Sequence, residues 1–242
     1  MVAPVLTKAE GSRVIVALDY AEAEPALVFV DKVSPEQCKL KIGLELFASA
    51  GPALVSRLIE RGFDVFLDLK FHDIPNTVAK ACAAAGRLGV WMLNVHTLGG
   101  PKMLRAAREA VGALTRRPLL VGVTLLTSHT QQDIGALGLH GDLPERVDAL
   151  AALAHEAGLD GVVCSPHEAA GLRRRFGNGF VLVTPGIRLE KVQGDDQART
   201  MSPRDALAQG ADFLVIGRPV TQAPDPHGVL RAINRQLQEG EQ

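Results

Sequence analysis

Asp68-Leu69-Lys70 sets an aspartate and a lysine two residues apart at the end of an apolar run, and Asp73 follows three residues on. Alternation along an extended strand puts Asp68 and Lys70 on one face and turns Leu69 to the other. Opposite charges stacked in this way keep each other ionised where water is partly excluded. Lys41, carried by a neighbouring apolar run, extends the set to an alternating array of Lys41, Asp68, Lys70 and Asp73. A buried ion pair is rarely better than apolar packing, so charges repeated at this density point to chemistry more than to stability.

Other polar groups stand where apolar runs end. The first run closes on Asp19, the fourth on Asn94-Val95-His96, and the fifth on Thr124-Leu125-Leu126-Thr127-Ser128. The seventh closes on Thr184-Pro185-Gly186-Ile187-Arg188 and the eighth on Gly217-Arg218. A glycine with a bare backbone N–H beside a guanidinium, as at Gly217-Arg218, with a second close approach opened by Gly186, reads as a grip for a phosphate. Apolar periodicity stops between Arg188 and Met201, through Gly194-Asp195-Asp196-Gln197, as it does in a binding loop or lid. Each feature also has a plainer local role. Asp73 ahead of Pro75 can cap a helix, Asp19 can be a solvated loop carboxylate, Lys41 an exposed strand-end lysine, and His96 a hydrogen-bonded core histidine.

The elements that must position these residues alternate. Short β-branched runs are expected at residues 14–18, 39–42, 65–69, 92–95, 119–124, 161–163, 181–183 and 213–216, each separated by enough chain for a helix. Gly62-Phe63-Asp64, Gly158-Leu159-Asp160 and Gly210-Ala211-Asp212 read as helix stops followed by re-entry into a sheet. Repeated β-then-α units imply parallel strands, and eight of them in 242 residues imply an α/β fold closed as a (β/α)₈ TIM barrel, with its site at the C-terminal ends of the strands. An open doubly wound sheet is the structural alternative, but Val16-Ala17-Leu18-Asp19-Tyr20 stands where a glycine-rich dinucleotide turn would be. With no linker or low-complexity tract, residues 1–242 read as one domain, of which 1–11 form an N-terminal extension.

Composition narrows the function. A formal net charge of −1 and 4% aromatic residues disfavour a nucleic-acid surface, so an anion must be held by a few placed groups. No run approaches a membrane span, and Met1–Glu10 does not read as a signal peptide, which together suggest a cytoplasmic enzyme. Three cysteines without Cys-x-x-Cys spacing suit reduced core thiols.

These residues resemble a known family. Asp68-Leu69-Lys70-Phe71-His72-Asp73-Ile74-Pro75-Asn76-Thr77 is similar to the signature of the orotidine 5′-monophosphate decarboxylases. So are Val16–Asp19, Lys39–Gly43, Val123–Ser128, Val183–Arg188, Gly194–Gln197 and Val215–Pro219, from the first strand to the last helix. Thr97, where the family more often has a small residue, is a minor departure. The resemblance implies removal of CO₂ from orotidine 5′-monophosphate to give UMP in pyrimidine biosynthesis, without a cofactor or a metal. It implies that Lys70 protonates C6, that Asp68 lies against the substrate carboxylate, and that Lys41 and Asp19 hold ribose hydroxyls. Thr127, with Ser128 beside it, would contact the pyrimidine; Arg188, Gln197, Gly217 and Arg218 would bind the phosphate. Asp73 and Thr77 would cross a homodimer interface into the partner's site. Two other classes fit parts of the pattern: a Mg²⁺-dependent sugar-phosphate decarboxylase or aldolase on the same barrel, and a non-catalytic nucleotide-binding barrel.

Overall fold

The computed structural model describes residues 11–189 and 201–239. Eight parallel strands close into a barrel in sequential order: β1 (Val14–Leu18), β2 (Lys39–Ile42), β3 (Val65–Phe71), β4 (Met92–His96), β5 (Leu119–Val123), β6 (Gly161–Val163), β7 (Val181–Thr184) and β8 (Phe213–Ile216). Between them run α1 (Ala23–Val30), α2 (Leu44–Glu60), α3 (Pro75–Arg87), α4 (Gly100–Gly112), α5 (Gln131–Ala136), α6 (Leu143–Glu156), α7 (Pro166–Phe176) and α8 (Pro203–Ala208). The short α9 (Arg218–Thr221) and the longer α10 (Pro226–Glu239) follow β8. The expected strands all form; β3, β4 and β7 run on to Phe71, His96 and Thr184, and β5 stops at Val123, one residue short of Thr124.

Strand alternation sorts the apolar residues into two cores. Odd positions of β1, Ile15 and Ala17, point inward with Phe66, Met92, Val121, Val183 and Val215 to fill the barrel. Even positions, Val14, Val16 and Leu18, pack outward against the helices in a larger core. Thr97, in the turn after β4, belongs to the outer layer: its hydroxyl donates to the Val123 carbonyl at 2.8 Å. A Cβ at Gly122 would meet its methyl at 2.6 Å, so the extra bulk at Thr97 is accommodated by a glycine on the next strand.

The Gly-x-Asp segments close the N-terminal end. Gly62, Gly158 and Gly210 all adopt left-handed φ, which an L side chain resists. Each following aspartate then grips a cation: Asp64 takes Lys39 at 2.6 Å, Asp160 takes Arg117 in a two-point contact, and Asp212 takes Arg173 at 2.5 Å. Lys39 also lies over the Trp91 ring at 4.6 Å, and Trp91 meets Phe213 edge-on. With this end sealed by Lys39, its strand-mate Lys41 is left facing the open C-terminal end.

Candidate active site

At that open end β1, β2 and β3 hold a continuous chain of charges. Asp19 Oδ1 lies 3.4 Å from Lys41 Nζ, Lys41 Nζ 3.3 Å from Asp68 Oδ2, and Asp68 Oδ1 2.7 Å from Lys70 Nζ. Lys41 and Asp68 are buried, whereas Asp19 is mostly exposed. Burial alone would raise the Asp68 carboxyl, but Lys41, Lys70 and the amide of Asn94 outweigh it and hold the group below its ordinary value. Asp68 is thus an anion at neutral pH with a cation on each oxygen.

The alternation argument holds for Asp68 and fails at Lys70. Leu67 pairs with Leu93 and Phe71 with Val95, so residues 68–70 of β3 face Asn94 alone on β4. The bulge is completed by a left-handed backbone at Lys70, φ 51°, the one non-glycine residue with positive φ among those described. Asp68 and Lys70 are neighbours because of this bulge, not because of a regular pleat.

The array differs from the expected one at its fourth member. Asp19, not Asp73, completes it within the chain. Asp73 is exposed, accepts the N–H of Ile74 at 2.6 Å, and forms no ion pair among the described residues. Nor does it cap α3: the cap position is Ile74, ahead of Pro75, and carries no side-chain cap bond. Thr77, one turn into α3, is exposed as well.

Lys41, Asp68 and Lys70 border a cavity of about 280 Å³. Its lining also includes the apolar Ala17, Phe66, Val123 and Val215, together with Thr127, Gly186, Arg188, Gly217 and Arg218. Ser128 is exposed and does not line it. Arg188 is held at the rim because its N–H donates to Met201 and Met201 donates back to Gly186, pinning the ends of the intervening segment. Gln197 and the rest of the expected lid, 190–200, lie outside the described residues. At Gly217 a Cβ would stand 3.3 Å from Asp19 Oδ2, so a side chain there would crowd the charge chain.

Comparison with known proteins decides the family. Residues 12–233 match the model of the orotidine 5′-phosphate decarboxylase / HUMPS family. The chain belongs to it. Orotidine 5′-phosphate decarboxylases from Chromobacterium violaceum and Tolumonas auensis are 55% and 57% identical to it, over 93% of this chain and 92% and 98% of theirs. The crystal structure of the Lactobacillus acidophilus orotidine 5′-phosphate decarboxylase superposes with a TM-score of 0.82 at 36% identity, covering 93% of this chain and 98% of that one. That of the Pyrococcus horikoshii OT3 enzyme gives 0.75 at 26% identity, covering 93% and 99%. Within this decarboxylase family the chain is a carboxy-lyase on a TIM barrel.

Two residues of the family site region behave differently from their sequence reading. Asn94, noted only as a polar strand end, proves central: it is 1% exposed and bonds both Asp68 and Lys70. Its signal was an amide in the inward register of an apolar strand. His96 is half-buried, its ring 5.7 Å from that of His72, and its Nδ1 has no hydrogen-bond partner among the described residues. It is therefore not the hydrogen-bonded core histidine expected. Burial, followed by the charges of His72, Lys70 and His129, pushes its imidazole down to about 4. From about 6.5 down to that value the unfolded chain binds a proton that the folded protein refuses, so stability falls as pH falls through this window and is unaffected above it. Between pH 6.5 and 4.5, His96→Gln should lose less Tm than wild type, by about 3 °C or more, in thermal unfolding followed by circular dichroism. Parallel losses in the two proteins would remove His96 as a source of acid sensitivity.

Proposed function

We propose that this protein decarboxylates orotidine 5′-monophosphate to UMP and CO₂. The observation that carries the reading is the Asp19–Lys41–Asp68–Lys70 chain bordering a cavity that is also lined by Thr127, Arg188, Gly217 and Arg218, in a member of this family. In this reading Arg188, Gly217, Arg218 and Gln197 bind the phosphate, Thr127 meets the pyrimidine, and Lys41 and Asp19 hold the ribose hydroxyls. The scissile carboxylate is thereby brought against the ionised Asp68. The bond from C6 to the carboxylate carbon breaks, its electron pair stays on C6, and CO₂ departs. Lys70 Nζ, 2.7 Å from Asp68, stabilises that pair and transfers a proton to C6; the neutral amine then regains a proton from water. Repulsion of the substrate by Asp68 contributes only if it is relieved in the transition state. Binding energy from the remote phosphate supplies the positioning. Enzymes toward the upper end of known rate enhancements lower the barrier by about 20 kcal/mol or more, so the phosphate grip and the charge array must act together.

The same reading makes the protein a homodimer in which Asp73 and Thr77 reach the partner's site. Supporting it, residues 72–77 are all exposed, and Ile74 among them leaves 67% of its surface bare. The whole chain is read as one barrel domain with 1–11 as an extension. It is placed in the cytoplasm, where the free, buried Cys38, Cys82 and Cys164 would stay reduced. Among the described residues no helix is long and apolar enough to cross a membrane.

The test is UMP formation from orotidine 5′-monophosphate by the purified protein, before and after exhaustive EDTA treatment. Undiminished activity after EDTA is expected, because the ammonium of Lys70 supplies the positive charge that a metal would otherwise bring. No UMP would overturn the reading. Loss restored by Mg²⁺ would assign the protein to metal-dependent chemistry instead.

A further inference from the structure

We propose that Asn94 is a positioning residue for the decarboxylation, the one side chain that locks Lys70 and Asp68 into their working arrangement; this rests on the reading above. The bulge in β3 poses a specific problem. Three residues, 68–70, face one residue of β4, so the regular ladder cannot serve all of their backbone groups. Asn94 replaces the missing ladder bond with its side chain: its Oδ1 accepts the Lys70 backbone N–H at 2.8 Å. Its Nδ2 donates to Asp68 Oδ1 at 2.7 Å, the same oxygen that receives Lys70 Nζ. The orientation of the amide is dictated by its partners, since a backbone N–H can only donate and an ionised carboxylate can only accept. Asn94 is itself held in register with Val121 of β5 and is 1% exposed, so it has no freedom to follow a displaced neighbour.

The energetics favour a working role. A left-handed lysine is strained, and such strain persists only where the surroundings over-determine it. One amide here ties the strained backbone of the proton donor to the carboxylate that orients its ammonium. Without the amide, the bond to the Lys70 N–H and one bond to Asp68 are both lost. The residues of the proposed phosphate grip, Arg188, Gly217 and Arg218, take part in neither bond. Asn94 should therefore act on turnover more than on substrate capture.

Two substitutions separate positioning from mere support. Asn94→Ala removes both bonds; kcat should fall about 100-fold or more, the scale expected from misplacing a catalytic group by an ångström, while KM stays within about fivefold. Asn94→Asp keeps an acceptor for Lys70 but sets a second carboxylate against Asp68. That carboxylate, facing Asp68 and Lys70 on β3, Lys41 on β2 and His96 on its own strand, can donate to Asp68 only when protonated. Its kcat relative to wild type should consequently rise about tenfold or more as pH falls from 8 to 5.5. A structural filler would give no such recovery.

A ratio of Asn94→Asp to wild type that stays flat across that range, or an Asn94→Ala kcat within about threefold of wild type, would overturn the proposal. If the wild-type protein forms no UMP, the functional reading fails by itself and Asn94 is still testable. Trace labelling of the Lys70 amine with acetic anhydride, read by peptide mass spectrometry, should then be about threefold or more faster in Asn94→Ala, whose lysine has lost its fixed carboxylate partner. Equal labelling in the two proteins overturns the inference. Should the alanine variant fail to fold, the pH ratio of Asn94→Asp decides.

Discussion

Lys70→Ala is expected to lower kcat by about 10⁴-fold or more while UMP still binds within about tenfold of wild type. In the proposed mechanism Lys70 Nζ is both the proton source and the cation closest to Asp68, so one truncation would remove protonation and charge stabilisation together. Product affinity is assigned in the proposed reading to other residues lining the cavity, Thr127, Arg188, Gly217 and Arg218. Asp68 keeps Lys41 at 3.3 Å and the Asn94 amide, so the carboxylate remains partnered and the barrel should still fold. Steady-state assays with UMP competition check both halves. A variant within tenfold of wild-type kcat would sink the role given to Lys70.

Mixing Lys70→Ala with Asp73→Asn subunits, each almost inactive alone, is expected to restore about a quarter of the wild-type activity per subunit when exchange is complete. The motive is the position of Asp73, which is exposed beyond β3 with no ion pair among the described residues of its own chain. If each site combines its own Lys70 with the partner's Asp73, a mixed dimer holds one site with both defects and one with neither. Random exchange makes about half of all dimers mixed, hence about a quarter of sites intact. If Asp73 serves only its own chain, every site in the mixture carries one defect. No regain of activity, with exchange verified by labelled subunits, would exclude the shared site and leave Asp73 a loop residue.

Most of the architecture was legible along the chain because its causes are local. Short β-branched apolar runs, helices between them and glycine stops before Asp64, Asp160 and Asp212 are properties of short segments, and all eight expected strands form. The charged residues at strand ends were legible for the same reason: a polar side chain in an apolar strand either ends the strand or pays for its place with a partner. The resemblance added the family and its chemistry, which the family match then bore out.

What the sequence could not specify are the relations between strands. Alternation put Asp68 and Lys70 on one face of a regular strand, yet the actual neighbours are made by a bulge whose register is set by β4 and whose left-handed residue is a lysine, not the glycine that would announce it. Asn94 looked like one polar strand end among several until pairing set it opposite that bulge. Asp19 joined the charge chain, and Asp73 left it, because the parallel pairing of β1 with β2 brings Asp19 beside Lys41 while Asp73, ahead of α3, is left exposed. Local propensity determines which residues form a strand and which faces they offer. Only the long-range pairing of strands determines which side chains meet across them, because that choice is made by the packing of the whole barrel and not by any single segment.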